Sequence, residues 1–246
     1  MNPRLSLLFG LLLSGLGASA QTNISQEGAA AQANLNSLVS GAPTVLPAGT
    51  SEGTKGSPYA DNRWLPAQIT LGNSLPLAPV PLKYDVLGHR LLMRAPARPN
   101  DTLQLDDRKV VRFVLQEPAS GLSPARARTF RRFVEAPEPR QQADYVEVLH
   151  EGEFSLLKHH LKTLKKANSQ GAYSPGVRYD EIEDHSVYYL RTPKAELTPV
   201  KLALKSLRAA APALADALKT AVAAQNPKTE ADWAAVLNAV DPKPTK

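Results

Sequence analysis

Residues 155–170, SLLKHHLKTLKKANSQ, place two histidines and several lysines in a leucine-containing segment. Zinc binding is the first chemistry to consider, because imidazole is a common zinc ligand. However, neighbouring side chains diverge by about 100° in a helix and about 180° in a strand, so His159 and His160 are poor joint ligands for one ion. The nearby lysines would also repel a cation. The segment therefore predicts a charged outer face on the second strand of a hairpin, with anion binding as the alternative.

A second basic segment, ARARTFRRF over 125–133, interleaves arginines with two phenylalanines. Guanidinium groups that point in one direction can bind phosphate or carboxylate. In a strand, however, Arg131 and Arg132 point to opposite faces, which favours solvated arginines over one binding face. The two basic segments together give the candidate anion-binding residues, which are Arg126, Arg128, Arg131, Arg132, Lys158, Lys162, Lys165 and Lys166.

An acidic cluster lies in YDEIEDHSVYY, residues 179–189. Such a cluster could hold a hard cation or supply a carboxylate pair for acid–base catalysis. In an extended segment, Glu181 and Glu183 share one face while Asp180 and Asp184 share the other, which divides the ligands. The spacing also lacks the pattern of a calcium-binding loop. We expect a solvated acidic strand, and a hydrolase that uses these carboxylates is the alternative.

Several classes of chemistry have no signature in the sequence. The chain contains no cysteine, which excludes disulfides, thiol nucleophiles and thiolate zinc sites. It has no Gly-x-Ser-x-Gly motif, glycine-rich phosphate loop, dinucleotide fingerprint or His-Glu-x-x-His motif. We therefore predict no catalytic, cofactor-binding or metal-binding residues and no cofactor. The net charge of +6 suits anionic envelope polymers or lipids, but it is too diffuse to indicate nucleic acid.

The N-terminal segment MNPRLSLLFGLLLSGLGASAQT has the organisation of an export signal. Arg4 begins it, an apolar stretch too short for an ordinary membrane span follows, and Ala18–Ala20 offers a cleavage site. These features predict a signal peptide over 1–20, a periplasmic or secreted protein, and no transmembrane span in the mature chain. Residues 21–57 are rich in small polar residues and predict a disordered arm, with a short helix near 29–38 as a weak alternative.

Short strands are predicted from residue 58 onward. Residues 80–94 indicate two strands around a turn in which Gly88 supplies a positive φ. Residues 101–117 repeat this design around Asp106 and Asp107. The pattern predicts a meander of short strands.

The second half of the strand-rich region, up to residue 203, contains further hairpin signals. One hairpin is predicted over 144–166 around HEGE, and another over 187–204 around TPKAE. Residues 123–137 are ambiguous, because Ser-Pro favours a helix start whereas TFRRFV also suits a strand.

Residues 204–240 predict helices that pack on the strands, before a tail over 241–246. Pro212 should divide the first helical run, and Thr229 can cap a final helix with Asp232 in its first turn. Trp233, Val236, Leu237 and Val240 form an apolar stripe at helical spacing.

Four stretches together resemble a family of exported hypothetical proteins from Gram-negative bacteria. They are GSPYADNRW, VPLKYDVLGHRLLM, YVEVLHEGEFSLLKHH and YDEIEDHSVYYLR, in that order, and the resemblance covers about residues 57–240. The resemblance implies a strand-rich region followed by a helical C-terminal end, and it implies no catalytic residues. It favours a strand over 128–134. The expected fold class is therefore α+β, with an antiparallel, sheet-rich domain and a C-terminal helical segment.

The sequence predicts an exported, non-enzymatic envelope protein that binds a partner protein or an anionic surface polymer. A hydrolase of an envelope polymer, acting through Glu181 or Asp184, is one alternative. Electrostatic docking on anionic lipid or lipopolysaccharide, through the two basic segments, is the other.

Overall fold

The computed structural model of the chain describes residues 29–38, 54–75, 77–95, 98–121, 124–167 and 179–241. The predicted signal peptide, most of the predicted arm and residues 242–246 of the predicted tail lie outside these ranges. The described chain is dominated by a large antiparallel sheet, which a few C-terminal helices follow. The expected sheet-rich α+β class is confirmed at this level.

The strands fall into a sheet of ten and a sheet of three. In chain order they are β1 (Thr54–Lys55), β2 (Leu65–Leu71), β3 (Val80–Asp85), β4 (Arg90–Ala95), β5 (Arg98–Gln104), β6 (Val110–Glu117), β7 (Arg126–Arg132), β8 (Tyr145–Glu151), β9 (Ser155–His159), β10 (Lys162–Lys165), β11 (Asp180–Asp184), β12 (Val187–Arg191) and β13 (Leu197–Val200). The large sheet has the order β13-β12-β9-β8-β7-β6-β2-β3-β4-β5, and the small one β1-β11-β10. The ambiguous segment is therefore strand β7, and the hairpins β8–β9 and β12–β13 form as predicted.

The large sheet departs from a simple meander at two junctions, β2–β6 and β9–β12, and the first of them involves residues 101–117. Residues 101–117 do not form the predicted hairpin, because β5 pairs with β4 whereas β6 pairs with β2. A 3-10 turn, Asp107–Lys109, separates β5 from β6. The amide of Gly72 donates to the carbonyl of Lys109 at 3.1 Å, and Arg132 donates to the carbonyl of Val110 at 3.0 Å. These bonds hold the start of β6 between β2 and β7.

The β3–β4 turn also differs from expectation. The residue with positive φ is His89, at 50°, and not Gly88. Gly88 is needed for space, because a Cβ there would lie 2.6 Å from a carboxylate oxygen of Asp85. The Asp85 carboxylate accepts from the Gly88 amide and from Arg90. The turn is thus closed by a buried carboxylate, and a side chain at position 88 would displace it.

A two-stranded ribbon runs out of the large sheet. β9 pairs with β12, and their continuations β10 and β11 pair with each other in the small sheet. The amide of His185 donates to the carbonyl of Leu161 at 2.9 Å, which joins the two paired parts. β1 adds to β11 in parallel.

The main apolar core lies on one face of the large sheet. β2 alternates buried and exposed residues along its whole length, as a strand with one covered face must. Tyr84, Phe113, Phe130 and Tyr145 pack edge to face or stacked at the centre of this core. Such burial is the main stabilising term of the fold.

The C-terminal helices cover the other end of the sheet. They are α2 (Leu204–Ala210), α3 (Ala215–Gln225) and α4 (Glu230–Val240), with a 3-10 turn at Pro212–Leu214. As predicted, Thr229 and Asp232 form a capping box at the start of α4. Trp233, Val236 and Leu237 pack with sheet residues in a second apolar cluster. None of the helices in the described ranges is long and apolar enough to cross a membrane.

Part of the segment expected as a disordered arm belongs to the fold. Residues 29–37 are helical (α1), so the short helix considered for this region is present. Leu35 and Leu38 are 0% and 1% exposed and join the main core. The carbonyl of Leu38 accepts from the amide of Asp106 at 2.8 Å. The composition of residues 21–57 did not indicate that α1 packs on the sheet. Two leucines are enough to hold a short helix against an existing core, and they change the overall composition little.

Candidate functional site

The face of β2–β4 that points away from the main core carries two cations beside two aromatic rings. We define Tyr59, Trp64, Lys83 and Arg94 as the aromatic–cationic patch. The Lys83 Nζ lies 4.5 Å from the Tyr59 ring centroid and 5.1 Å from that of Trp64. The Arg94 Cζ lies 5.0 Å from the Trp64 centroid. All three contacts are within the range of cation–π attraction.

Strand alternation explains why these side chains meet. Trp64 directly precedes Leu65, which pairs with Leu82, so Trp64 and Lys83 lie side by side on the face opposite to these core leucines. Arg94 follows the core residue Met93 on the next strand. The patch therefore depends on the pairing of β2, β3 and β4.

The patch carries positive charge that no described carboxylate neutralises by direct contact. Within the described ranges, no carboxylate forms an ion pair with Lys83 or Arg94. Burial and the nearby Arg94 guanidinium lower the pKa of Lys83 below its usual value, although Asp61 acts in the opposite direction. Two positive charges beside the same indole ring favour an anion that can contact both of them.

The residues at the border of the patch are, by contrast, fully paired. The Asp61 carboxylate accepts from Arg63 at 2.8 Å and from Arg128 at 3.2 Å. Glu117 accepts from Arg63 and from Arg126. Burial alone would raise the pKa of Asp61, but the bonds from Arg63 outweigh it and lower that pKa. In the described ranges, Arg63, Arg126 and Arg128 are thus paired with carboxylates, whereas Lys83 and Arg94 are not.

A buried network anchors the segment that carries Tyr59 and Trp64. Arg128 donates two 2.7 Å bonds to Glu147, and Glu147 also pairs with His160 Nε2 at 2.8 Å. Burial opposes the charge of Glu147, yet the bonds from Arg128 and His160 hold its pKa well below the usual range. Because Arg128 also binds Asp61, the network fixes the loop before β2 to the centre of the sheet.

No protein-family model, curated protein or solved structure matches this chain. The function must be argued from the side chains themselves.

Every candidate anion-binding residue from the sequence lies in an ion pair. The pairs are Arg126–Glu117, Arg128–Glu147, Arg131–Glu135, Arg132–Asp107, Lys158–Glu230, Lys162–Asp184, Lys165–Glu183 and Lys166–Asp180. An incoming anion must compete with a carboxylate at each of these positions. The assignment stays a prediction, and the fold does not gather these residues at one place, because they spread from β7 to β10 and include buried Arg128.

The acidic cluster and the basic segment are two strands of the same ribbon. Lys162, Lys165 and Lys166 on or after β10 bind Asp184, Glu183 and Asp180 of β11. Bonds from Lys165 and Lys166 lower the pKa of Glu183 and Asp180 respectively. Carboxylates held ionised in this way are poor proton donors. Among the described residues, no group of three or more histidines, cysteines or acidic residues is arranged to hold a metal ion.

The histidine pair diverges, as its strand geometry requires, but it is not solvent-exposed. His159 is 0% and His160 4% exposed. A strand places His160 on the lysine-bearing face that was expected to be solvated, and that expectation is wrong at His160. His159 Nε2 pairs with Asp144 at 3.0 Å on one face, while His160 pairs with Glu147 on the other. The Asp144 carboxylate also pairs with His89 Nδ1 at 2.8 Å.

Phe133 and Asp144 cover His159, and Phe130 and Glu147 contact His160. These residues lie outside the strand that carries the histidines, so the pattern of that strand alone does not indicate the burial.

A shallow groove lies at the β12–β13 edge of the large sheet. Its lining includes Tyr188, Val200 and Leu202, with Lys201 and two serines. The Tyr188 hydroxyl donates to Glu230 of α4. The groove is apolar and open, and it brings together no pair of charged groups for catalysis.

Sequence reasoning missed the aromatic–cationic patch. Its residues come from three separate strands or loops, and only the register of β2, β3 and β4 places them together.

Proposed function

We propose that this protein is an exported, non-enzymatic binding module of the cell envelope. The aromatic–cationic patch is the observation that carries the proposal. Lys83 and Arg94 are held beside one indole ring without a carboxylate partner within the described ranges. Half-buried aromatic rings next to free cations provide both packing area and charge for a ligand.

The charge pattern elsewhere supports binding over hydrolysis. The acidic residues suggested for a hydrolase face lysines across the ribbon, and the bonds from Lys162 and Ser186 hold the pKa of Asp184 low despite partial burial. A general acid requires the opposite, a carboxyl group whose pKa is raised toward the working pH. The ribbon thus uses its carboxylates to hold two strands together.

A fractionation experiment tests the proposal. The tagged full-length protein is expressed in a cell that exports it, purified, and incubated with separated lipid, glycan and protein fractions of the envelope. We expect saturable binding to one fraction and no release of soluble fragments from it. Absence of saturable binding to every fraction would contradict the proposal.

The variant Glu181→Gln/Asp184→Asn tests whether the acidic strand β11 acts in hydrolysis or only holds the ribbon together. If fragments are released by the wild-type protein and not by this variant, the protein is a hydrolase and the proposal is wrong. If binding is unchanged and no fragments appear with either protein, the binding function is supported.

A further inference from the structure

We infer that Lys83 and Arg94 form a binding site for a phosphomonoester group. This inference rests on the proposed binding function and names the ligand chemistry of the patch. The two side chains approach the Trp64 ring from adjacent strands. The Lys83 Nζ lies 5.1 Å and the Arg94 Cζ 5.0 Å from the indole centroid.

The amount of unpaired charge selects a phosphomonoester over a carboxylate. Lys83 and Arg94 together carry two positive charges, and a phosphomonoester carries about −1.5 to −2 at pH 7. A carboxylate would neutralise only one of them. Arginine also offers paired N–H donors that match two phosphate oxygens, while lysine acts as a point charge.

The surroundings favour a single group over a charged surface. Arg63, which directly precedes Trp64, is bound to Asp61 and Glu117, and Arg126 is bound to Glu117. Docking on an anionic membrane typically uses clusters of about four to eight free basic residues. Lys83 and Arg94, beside two aromatic rings, are enough to bind one anionic group but too few for docking on a membrane.

The aromatic rings distinguish a phosphate on a carrier from free phosphate. Tyr59 and Trp64 are each partly exposed and lie next to the same lysine. A carrier such as a sugar ring has C–H groups that can pack on the exposed edges of these rings. We therefore expect a sugar phosphate to bind more tightly than inorganic phosphate.

Trp64 itself reports on the site. The chain has two tryptophans, and the other, Trp233, is buried among the C-terminal helices. In a Trp233→Phe variant of the full chain, the emission of Trp64 is followed during titration with glucose 1-phosphate, inorganic phosphate, glucuronate and anionic vesicles. Calorimetry on the wild-type protein provides the same comparison without a substitution in the core.

The expected result is saturable binding of glucose 1-phosphate that weakens as salt is added. Inorganic phosphate should bind more weakly, and glucuronate and vesicles more weakly still. Arg94→Gln, at an exposed position, should weaken glucose 1-phosphate binding about tenfold or more, as expected for loss of a charge-assisted hydrogen bond. The matched control is Arg208→Gln, which removes one exposed guanidinium group on α2 and should leave the affinity unchanged.

Three results would overturn the assignment. They are no binding of either phosphate probe by the wild-type protein, equal affinity of wild type and Arg94→Gln, or glucuronate binding as tightly as glucose 1-phosphate. If the wild-type protein binds an envelope fraction but neither phosphate probe, the phosphate site is wrong while the proposed function stands. If the wild-type protein binds no envelope fraction, the proposed function itself fails.

Discussion

Lys162 and Asp184 lie directly opposite each other across β10 and β11, with 2.7 Å between the Lys162 Nζ and the Asp184 carboxylate. The Lys162 side chain is 12% exposed and that of Asp184 is 53% exposed. The pair is therefore partly shielded from solvent, unlike the outer pairs of the ribbon. It lies next to the bend where the ribbon leaves the large sheet.

Reversing the charge of Lys162 should open the ribbon locally. Lys162→Glu places two carboxylates opposite each other, which costs about 1 kcal/mol on one face of a sheet. We expect faster hydrogen exchange of the His185 amide, which bonds to the Leu161 carbonyl at this bend. The double variant Lys162→Glu/Asp184→Lys should restore slow exchange.

Lys194→Glu is the matched control for this charge change, since Lys194 is exposed in the β12–β13 turn. It should leave exchange at His185 unaltered. Equal exchange rates in wild type and Lys162→Glu would show that the pair does not hold the ribbon.

The parts of the fold that depend on local spacing could be predicted. The Thr229–Asp232 cap and the Trp233–Val236–Leu237 stripe involve residues within one or two helical turns, so periodicity determines them. Strand positions follow in the same way from alternation. The pairing partners do not, because the β2–β6 contact depends on which long-range pairing buries the most surface.

The candidate site was hidden for the same reason. Charges on β10 and β11 were each visible, but their mutual neutralisation depends on register between segments separated by a long connection. The patch required the register of β2, β3 and β4. Sequence patterns therefore found the charged residues and could not tell which cations would be left without a partner.

Substitution of Glu147 should lower the free energy of unfolding more than substitution of an exposed carboxylate. Glu147→Gln removes the charge that Arg128 and His160 share in the interior, and breaking such a buried pair costs about 3 kcal/mol or more. The measurement is the urea midpoint of unfolding. Glu138→Gln removes the carboxylate of the exposed Arg140–Glu138 pair and should change stability by less than about 0.5 kcal/mol. Similar midpoints for the two variants would contradict the role assigned to the network.

Stability should decline as the pH falls below neutral. Burial lowers the pKa of His160 in the folded protein, so the unfolded chain takes up its proton first, near pH 6.5. The contribution of neutral His160 is therefore complete above about pH 6.5 and is lost as the pH falls toward its folded pKa. Burial would raise the pKa values of Glu147 and Asp144, but hydrogen bonds from their partners outweigh burial and lower both pKa values in the folded state. The stability that these two carboxylates contribute is therefore lost at lower pH, below about pH 4.

The two pH ranges can be separated with one substitution and its control. In His160→Gln, the free energy of unfolding from urea titrations should vary less between about pH 7 and pH 5 than in the wild type, where one proton gives at most about 1.4 kcal/mol per pH unit. The exposed His185→Gln should keep the wild-type slope. A slope unchanged by His160→Gln would show that this histidine does not titrate on unfolding.

Leu35→Ala tests whether α1 is part of the folded domain. Leu35 is fully buried in the main core, so truncating it should lower the free energy of unfolding by about 3 kcal/mol. Ser37→Ala changes an exposed position on the same helix and should have little effect. If residues 21–57 acted only as a flexible arm, both variants would unfold at the wild-type urea concentration. A loss confined to Leu35→Ala would instead place this helix inside the cooperative unit, since α1 can be stable at this length only through its contacts with the sheet.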